Sequence, residues 1–263
     1  MSFVEIERRG SASWARINRP ERGNSLGPEI VTALTDWARS APGDPEVRAL
    51  VLTGTGKAFC AGADVKASHA MAEDPARRQA FFEEGARLMQ TLDRCEVPVV
   101  AAVNGVAFAG GFELVLACDL IVAASSAVLG DLHLPHARIP SWGSSARLFA
   151  SLGPHRATAL LLLPRRLSAA QLADLGLVAE VAADGDLVAV VDGLVANFDA
   201  FDAVALRAMK KVVADNREVR LERMLEGEWR NFLAYLGGEG MAAMPPGLAG
   251  SQDDLPVGID DRV

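Results

Sequence analysis

The chain has 263 residues, half of them apolar, with 26 basic and 34 acidic side chains and a formal net charge of −8. An acidic balance argues against general nucleic-acid binding, which needs a basic face. No run of eighteen apolar residues appears, since Pro98, Cys118 and Asp119 interrupt the densest stretches, so no membrane span is expected.

The first residues carry an acid and no apolar signal core, which points to a cytoplasmic protein. Val4 and Ile6 alternate with polar residues, residues 10–13 read as a turn, and residues 14–17 return as a second strand. A polar loop over 18–27 leads to Pro28, which suits the first position of a helix. Ile30, Leu34, Trp37 and Ala38 recur at helical spacing until Ala41-Pro42-Gly43 stops the helix. Residues 47–52 form a short apolar strand, followed by a Gly-rich loop over 53–64. Residues 75–92 read as a helix with Phe82, Ala86, Met89 and Leu92 inward, and 97–103 as a second buried strand. A helix should open at Ala109-Gly110-Gly111, followed by a strand over 120–123. Short helices are expected at about 143–151, 154–163 and 168–175, the last with a Ser168–Gln171 capping box. A strand over 177–181 precedes residues 186–236, which look helical with breaks near Asp199 and Ala214. Residues 237–263 are rich in Gly, Pro and Asp and read as a mobile end. Buried strands alternating with helices indicate an α/β architecture. Cys60, Cys95 and Cys118 stand apart with no CxxC pair, so they read as reduced thiols.

Two Gly-rich turns, each after an apolar strand, carry the local chemistry: residues 54–64 and 104–113. Glycine lets a backbone approach a ligand closely and aim N–H groups at it. Two such turns side by side can direct two donors at one oxygen, forming an oxyanion hole. Gly54-x-Gly56 lacks the third glycine of a dinucleotide fingerprint, and Gly56-Lys57 is followed by Ala58 where a phosphate loop needs Ser or Thr.

Ala61-Gly62-Ala63-Asp64 resembles the A-G-A-D loop of the crotonase (enoyl-CoA hydratase/isomerase) family, and residues 104–119, NGVAFAGGFELVLACD, are similar to its N-G-x-A-x-G-G-G-x-E-L-x-x-x-C-D signature. The resemblance runs from Asn18-Arg19-Pro20 to Glu239-Gly240-Met241. It implies a spiral of strand–strand–helix turns over residues 1–199 and a C-terminal helical trimerisation region over 200–263. It also implies a homotrimer or dimer of trimers, and an acyl-CoA thioester substrate with no separate cofactor, since coenzyme A is part of that substrate. Carried over by position, Ala63 and Gly110 would supply the oxyanion donors and Glu113 the first catalytic carboxylate. Ala61, Asp64, Val65 and Lys66 would line the CoA loop. Arg22, Ser25 and Leu26 would lie where pantetheine and phosphates pass. Phe108, Phe112 and Trp142 suggest a bulky apolar lining.

The family's second glutamate stands twenty residues after the first, and here that position is His133, with Asp131 two residues earlier. Ile139-Pro140-Ser141-Trp142-Gly143 keeps the family's I-P-x-x-G frame, so no gap explains the change. An imidazole titrates near neutrality and can substitute in acid–base work, or it can close a water site. Asp131, His133 and His136 spell Asp-x-His-x-x-His, but Pro135 breaks the spacing that would aim both rings at one ion, so no metal is expected. Hydration of a 2-enoyl-CoA is the leading reading. The alternatives are other enolate chemistry, namely double-bond isomerisation, C–C hydrolysis or decarboxylation, and an acyl-CoA binder without catalysis.

Overall fold

The chain begins with a hairpin: β1 (Val4–Arg9) pairs antiparallel with β2 (Ala12–Ile17) around Gly10 in the left-handed region. The computed structural model describes residues 2–71 and 73–237. Four parallel strands extend the sheet from β2: β3 (Ala49–Gly54), β5 (Val99–Val103), β7 (Leu120–Ala124) and β10 (Glu180–Ala182), in the order β1-β2-β3-β5-β7-β10. Every residue of β3 and β5 is buried, which is why these strands read as unbroken apolar runs rather than alternating ones.

A second sheet forms inside what the sequence shows as turns. β4 (Ala58–Cys60), β6 (Val106–Phe108) and β8 (Val128–Gly130) are parallel, and β9 (Leu167–Ser168) closes the edge antiparallel. Strands β3, β5 and β7 each turn sharply into one of these, and a helix follows. This strand–strand–helix unit recurs three times along the chain, as the resemblance to the crotonase family implies. The turns are held by side-chain amides. Asn104 accepts from the Gly54 N–H at 3.0 Å and donates to the Gly56 carbonyl at 3.0 Å; Asn24 donates to Thr55 and Ala58 carbonyls at 2.9 and 2.7 Å. A Cβ at Gly105 would lie 2.1 Å from the Lys57 carbonyl oxygen, so only glycine allows that approach.

Helices cover the sheets. α1 (Pro28–Ser40) packs on α3 (Pro75–Asp93), with the short α2 (Val65–Ala70) before it. α4 (Gly110–Leu116) is wholly buried. α5 (Ser144–Leu162) breaks at Gly153 before Pro154, in agreement with the two helices expected there, and α6 (Ala169–Asp174) has the Ser168–Gln171 capping box. α7 (Leu187–Asp199) lies on β5 and β7.

Three expectations are corrected. α8 (Ala203–Gly237) runs through Ala214 without the anticipated break. The strand expected from 177 begins at Glu180. The sequence offers Met224, Trp229, Phe232 and Tyr235 on the last helix as large apolar groups with little core left to cover, but they do not form a bare face. Phe232 is buried against Phe82 with ring centroids 4.8 Å apart, Trp229 packs on the core, and the Tyr235 hydroxyl donates to the Ala137 carbonyl. Exposed apolar groups lie earlier on α8, at Val204, Met209 and Val212. Asp119, in the second signature, anchors that part of the helix: it pairs with Lys210 at 3.1 Å and Arg217 at 2.9 Å and accepts from the Val99 N–H at 2.8 Å. Among the described residues no helix is long and apolar enough to cross a membrane. The C-terminal tail 244–263 lies outside the described residues.

Candidate active site

The two Gly-rich turns meet. Leu26 and Ala63 form a parallel bridge, in which the Leu26 N–H donates to the Gly62 carbonyl at 2.8 Å and its carbonyl accepts from Asp64 at 2.9 Å. The Gly62 carbonyl is bonded to Leu26, so the N–H of the same trans peptide, that of Ala63, points to the opposite side. Gly110 opens α4, so its N–H has no carbonyl a turn earlier to bond. A Cβ at Gly110 would lie 3.1 Å from the Ala63 nitrogen, which sets the two amides side by side. Ala109, standing where the family signature has glycine, holds φ 47° and ψ −118°. A conformation so rare for a residue with a Cβ costs about 1–3 kcal/mol and persists only where its surroundings enforce it; here the Ala109 N–H donates to the Gly130 carbonyl at 3.1 Å.

Glu113 follows one turn into α4 and is 1% exposed. Its Oε1 accepts from the Trp142 N–H at 2.8 Å and the Ser144 N–H at 3.2 Å, and its Oε2 lies 3.5 Å from His133 Nε2. The other ring nitrogen, Nδ1, is 2.8 Å from Asp131 Oδ1, and Asp131 Oδ2 accepts from the Ser144 hydroxyl. Asp131, His133 and Glu113 therefore form one buried chain of acid, base and acid. Burial alone would lower the His133 pKa; the adjacent Asp131 carboxylate, helped by Glu113, overcomes it and pushes the value up to about 10. Burial works to raise Asp131, but the imidazolium and the Ser144 hydroxyl hold it below its ordinary range. The ring is a cation at neutral pH, and both nitrogens face carboxylates.

A third acid, unforeseen in the sequence, reaches the same helix start. Glu228 of α8 accepts from the Ser145 N–H at 2.9 Å and from its hydroxyl. The α5 N-terminus thus holds Glu113 on Ser144 and Glu228 on Ser145, where the helix dipole favours negative charge. Burial, and then repulsion from Glu113, push the Glu228 carboxyl up to about 7.

The remaining residues named from the sequence divide. The Gly23 carbonyl accepts from Ala61 N–H at 2.9 Å, which ties the loop carrying Arg22 and Ser25 to the loop carrying Ala61, Val65 and Lys66. Arg22, Val65 and Lys66 are exposed there, and Ser25 and Ala61 half-buried. Leu26 has its side chain in the core, with both backbone groups bonded. Asp64 is not free for a ligand: it pairs with Arg19 at 2.6 Å and caps α2 by accepting from Lys66 and Ala67 N–H at 2.9 and 3.1 Å. Phe112 is a core residue, while Phe108 sits under the Arg166 guanidinium. Cys60, Cys95 and Cys118 are free thiols, all buried.

The family model described as Enoyl-CoA hydratase/isomerase matches residues 7–243. The chain belongs to this family. It is 36% identical over 217 residues to YngF of Bacillus subtilis, which carries an enoyl-CoA hydratase/isomerase name, covering 82% of this chain and 83% of that protein. It is 30% identical over 226 residues to the crotonyl-CoA hydratase of Syntrophomonas wolfei, covering 86% of each. The crystal structure of an enoyl-CoA hydratase/isomerase from Mycobacterium paratuberculosis superposes with a TM-score of 0.86 at 26% identity, over 93% of this chain and 97% of that one. A monofunctional enoyl CoA isomerase from M. smegmatis reaches 0.71 at 27%, over 83% and 95%. Crotonases act on acyl-CoA thioesters, so this chain is an enzyme of that type, and the buried Asp131–His133–Glu113 chain is its departure from the two-glutamate pattern.

That chain has a pH signature. The His133 pKa is about 10 in the fold against 6.5 as the ordinary value, so the native state holds this proton more tightly. The stabilisation is complete below about pH 6.5 and is lost as pH rises through 10. Glu228 acts with the same sign in a lower window, between 4.5 and about 7. The melting temperature should therefore fall as pH rises from 7 to 10, and fall less in His133→Gln. Parallel curves for the two proteins in thermal melts would contradict the buried imidazolium.

Proposed function

We propose that this crotonase adds water to a 2-enoyl-CoA, as a carbon–oxygen lyase working through a thioester enolate. The supporting observation is Glu113: a buried carboxylate one turn after Gly110, with one oxygen fixed by two backbone N–H groups and the other facing His133. In this reading the thioester oxygen sits on the Ala63 and Gly110 amides. Glu113 takes a proton from the water that attacks the β-carbon, the thioester oxygen carries the charge, and Glu113 returns a proton to the α-carbon. His133, clamped by Asp131, orients Glu113 and balances its charge. Arg22 and Lys66, exposed on the two tied loops, face the phosphates of coenzyme A. The assembly is proposed as a homotrimer or a dimer of trimers, and the compartment as the cytoplasm.

Incubation with crotonyl-CoA should remove the enoyl absorbance as 3-hydroxybutyryl-CoA forms; tight binding without loss of absorbance would reject hydration. A second reading has its own support. His133 holds its proton up to about pH 10, which leaves one carboxylate, Glu113, to carry a proton between the α- and γ-carbons. A 3-enoyl-CoA would then gain absorbance as its double bond moves into conjugation, marking an isomerase.

A further inference from the structure

The side chain of Trp142 occupies a position that nothing in acid–base chemistry requires. Its indole is wedged between two residues without side chains: a Cβ at Gly110 would lie 2.7 Å from the ring, and a Cβ at Gly85 of α3 would lie 2.2 Å from it. The residue is 2% exposed. It is held at three points. Its backbone N–H donates to Glu113 at 2.8 Å, its indole N–H donates to the Phe82 carbonyl at 3.0 Å, and its carbonyl accepts from Arg147 at 2.7 Å. Phe81 packs edge-on at 5.8 Å and Phe82 tilts against it at 6.1 Å. A ring fixed in this way is a wall rather than a swinging gate.

The wall has space behind it. A cavity of about 590 Å³ lies between α3, α5 and α8; Trp142, Leu225 and Trp229 border it, but charged side chains such as Arg87, Asp93 and Arg217 make up most of its lining. Trp142 borders this cavity, but Ala63, Gly110 and Glu113 do not. The indole therefore stands against the oxyanion amide on one side and the cavity on the other.

We propose that Trp142 sets the acyl length, closing the acyl end of the site so that it accepts short chains of about four carbons and is cut off from the cavity behind. This inference rests on the acyl-CoA reading above. An acyl chain leaving a thioester at Gly110 meets the indole before it meets open space. Phe82 and Gly85 of α3 fix the ring, so substrate length is written in the contact between α3 and the loop before α5. Replacing the indole by a methyl group frees the space of the ring itself, against Phe81 and Phe82, which is room for several more methylenes.

The test measures binding without turnover, using saturated butyryl-CoA and octanoyl-CoA in calorimetry. Wild type should bind butyryl-CoA at least tenfold more tightly. Burial of each further methylene strengthens binding about three- to fourfold, so Trp142→Ala should favour octanoyl-CoA by up to about a hundredfold. A wild type that binds the two equally, or a folded Trp142→Ala with the wild-type ratio, overturns the proposal. If Trp142→Ala does not fold, Trp142→Phe carries the test and should shift the ratio the same way by about tenfold; an unchanged ratio there overturns it equally. Failure of both thioesters to bind wild type would overturn the acyl-CoA reading itself, and this proposal with it.

Discussion

Valine in place of Gly110 should leave a folded protein that no longer turns over enoyl thioesters. The first added carbon would sit 3.1 Å from the Ala63 nitrogen and 2.7 Å from the Trp142 ring, and the branched methyls of valine extend further into the space an oxyanion must occupy. Both donors are crowded by one substitution. Loss of a single oxyanion donor costs about 10²–10³ in rate, so kcat/KM on crotonyl-CoA should drop by at least that factor. The fold should survive at a lowered melting temperature: Gly110 has ordinary helical backbone angles and its nearest obstacle is a ring rather than backbone, but that ring is wedged against Gly85 and has little room to retreat. The neighbour differs. A Cβ at Gly111 would meet the Cys60 carbonyl oxygen at 2.0 Å, so Gly111→Ala should fail to fold and marks the structural limit of the turn. Circular dichroism separates the two cases, and a Gly110→Val protein with near wild-type kcat/KM would remove the amides of Ala63 and Gly110 from the reaction.

The contrast between those adjacent glycines bears on what the sequence could reveal. The strands of the main sheet were legible because β3 and β5 are buried on both faces and therefore spelled as continuous apolar runs. β4, β6 and β8 were not, because three residues are too few for any period to appear and their glycine flanks read as loop. The helix start at Gly110 and the break before Pro154 followed from backbone chemistry alone. The break expected near Ala214 did not form, since α8 is held from outside by Asp119 gripping Lys210 and Arg217, a contact that propensity cannot report.

The site divides along the same line. Glu113 and His133 were reached through the signature and its offset. Asp131, the partner of His133, stood two residues away and in view, but the other contacts were hidden because they join across the chain: Trp142 and Ser144 lie 29 and 31 residues beyond Glu113, and Glu228 lies 83 beyond Ser145. Asp64 shows the opposite failure. It stands in the family loop, yet its carboxylate is spent on Arg19 and the start of α2. Phe232 and Trp229 show that an apolar helix face reveals the need for cover but not which surface supplies it.

Glu113→Gln should remove most turnover, by roughly 10²–10⁴, the usual contribution of a positioned acid or base. The amide oxygen can still accept from the Trp142 and Ser144 N–H groups, so the substitution deletes the base with little change of shape. His133→Ala should cost less in rate, because the ring acts on Glu113 rather than on substrate, but more in stability. Asp131 would lose the cation that holds it ionised and keep only the Ser144 hydroxyl and its local contacts; a buried acceptor stripped of its partner costs about 1–3 kcal/mol or more. His133→Glu alone gathers three carboxyl groups in one dry pocket, where like charges suppress ionisation. Any gain in hydration should therefore appear fully only when Asp131→Asn accompanies it, leaving two glutamates and a neutral neighbour. The measurements are kcat/KM on crotonyl-CoA and the melting temperature of each variant. If His133→Ala abolishes turnover in a protein that still melts cooperatively while Glu113→Gln stays active, then the imidazole is the working base, and the roles assigned to these two residues must be exchanged.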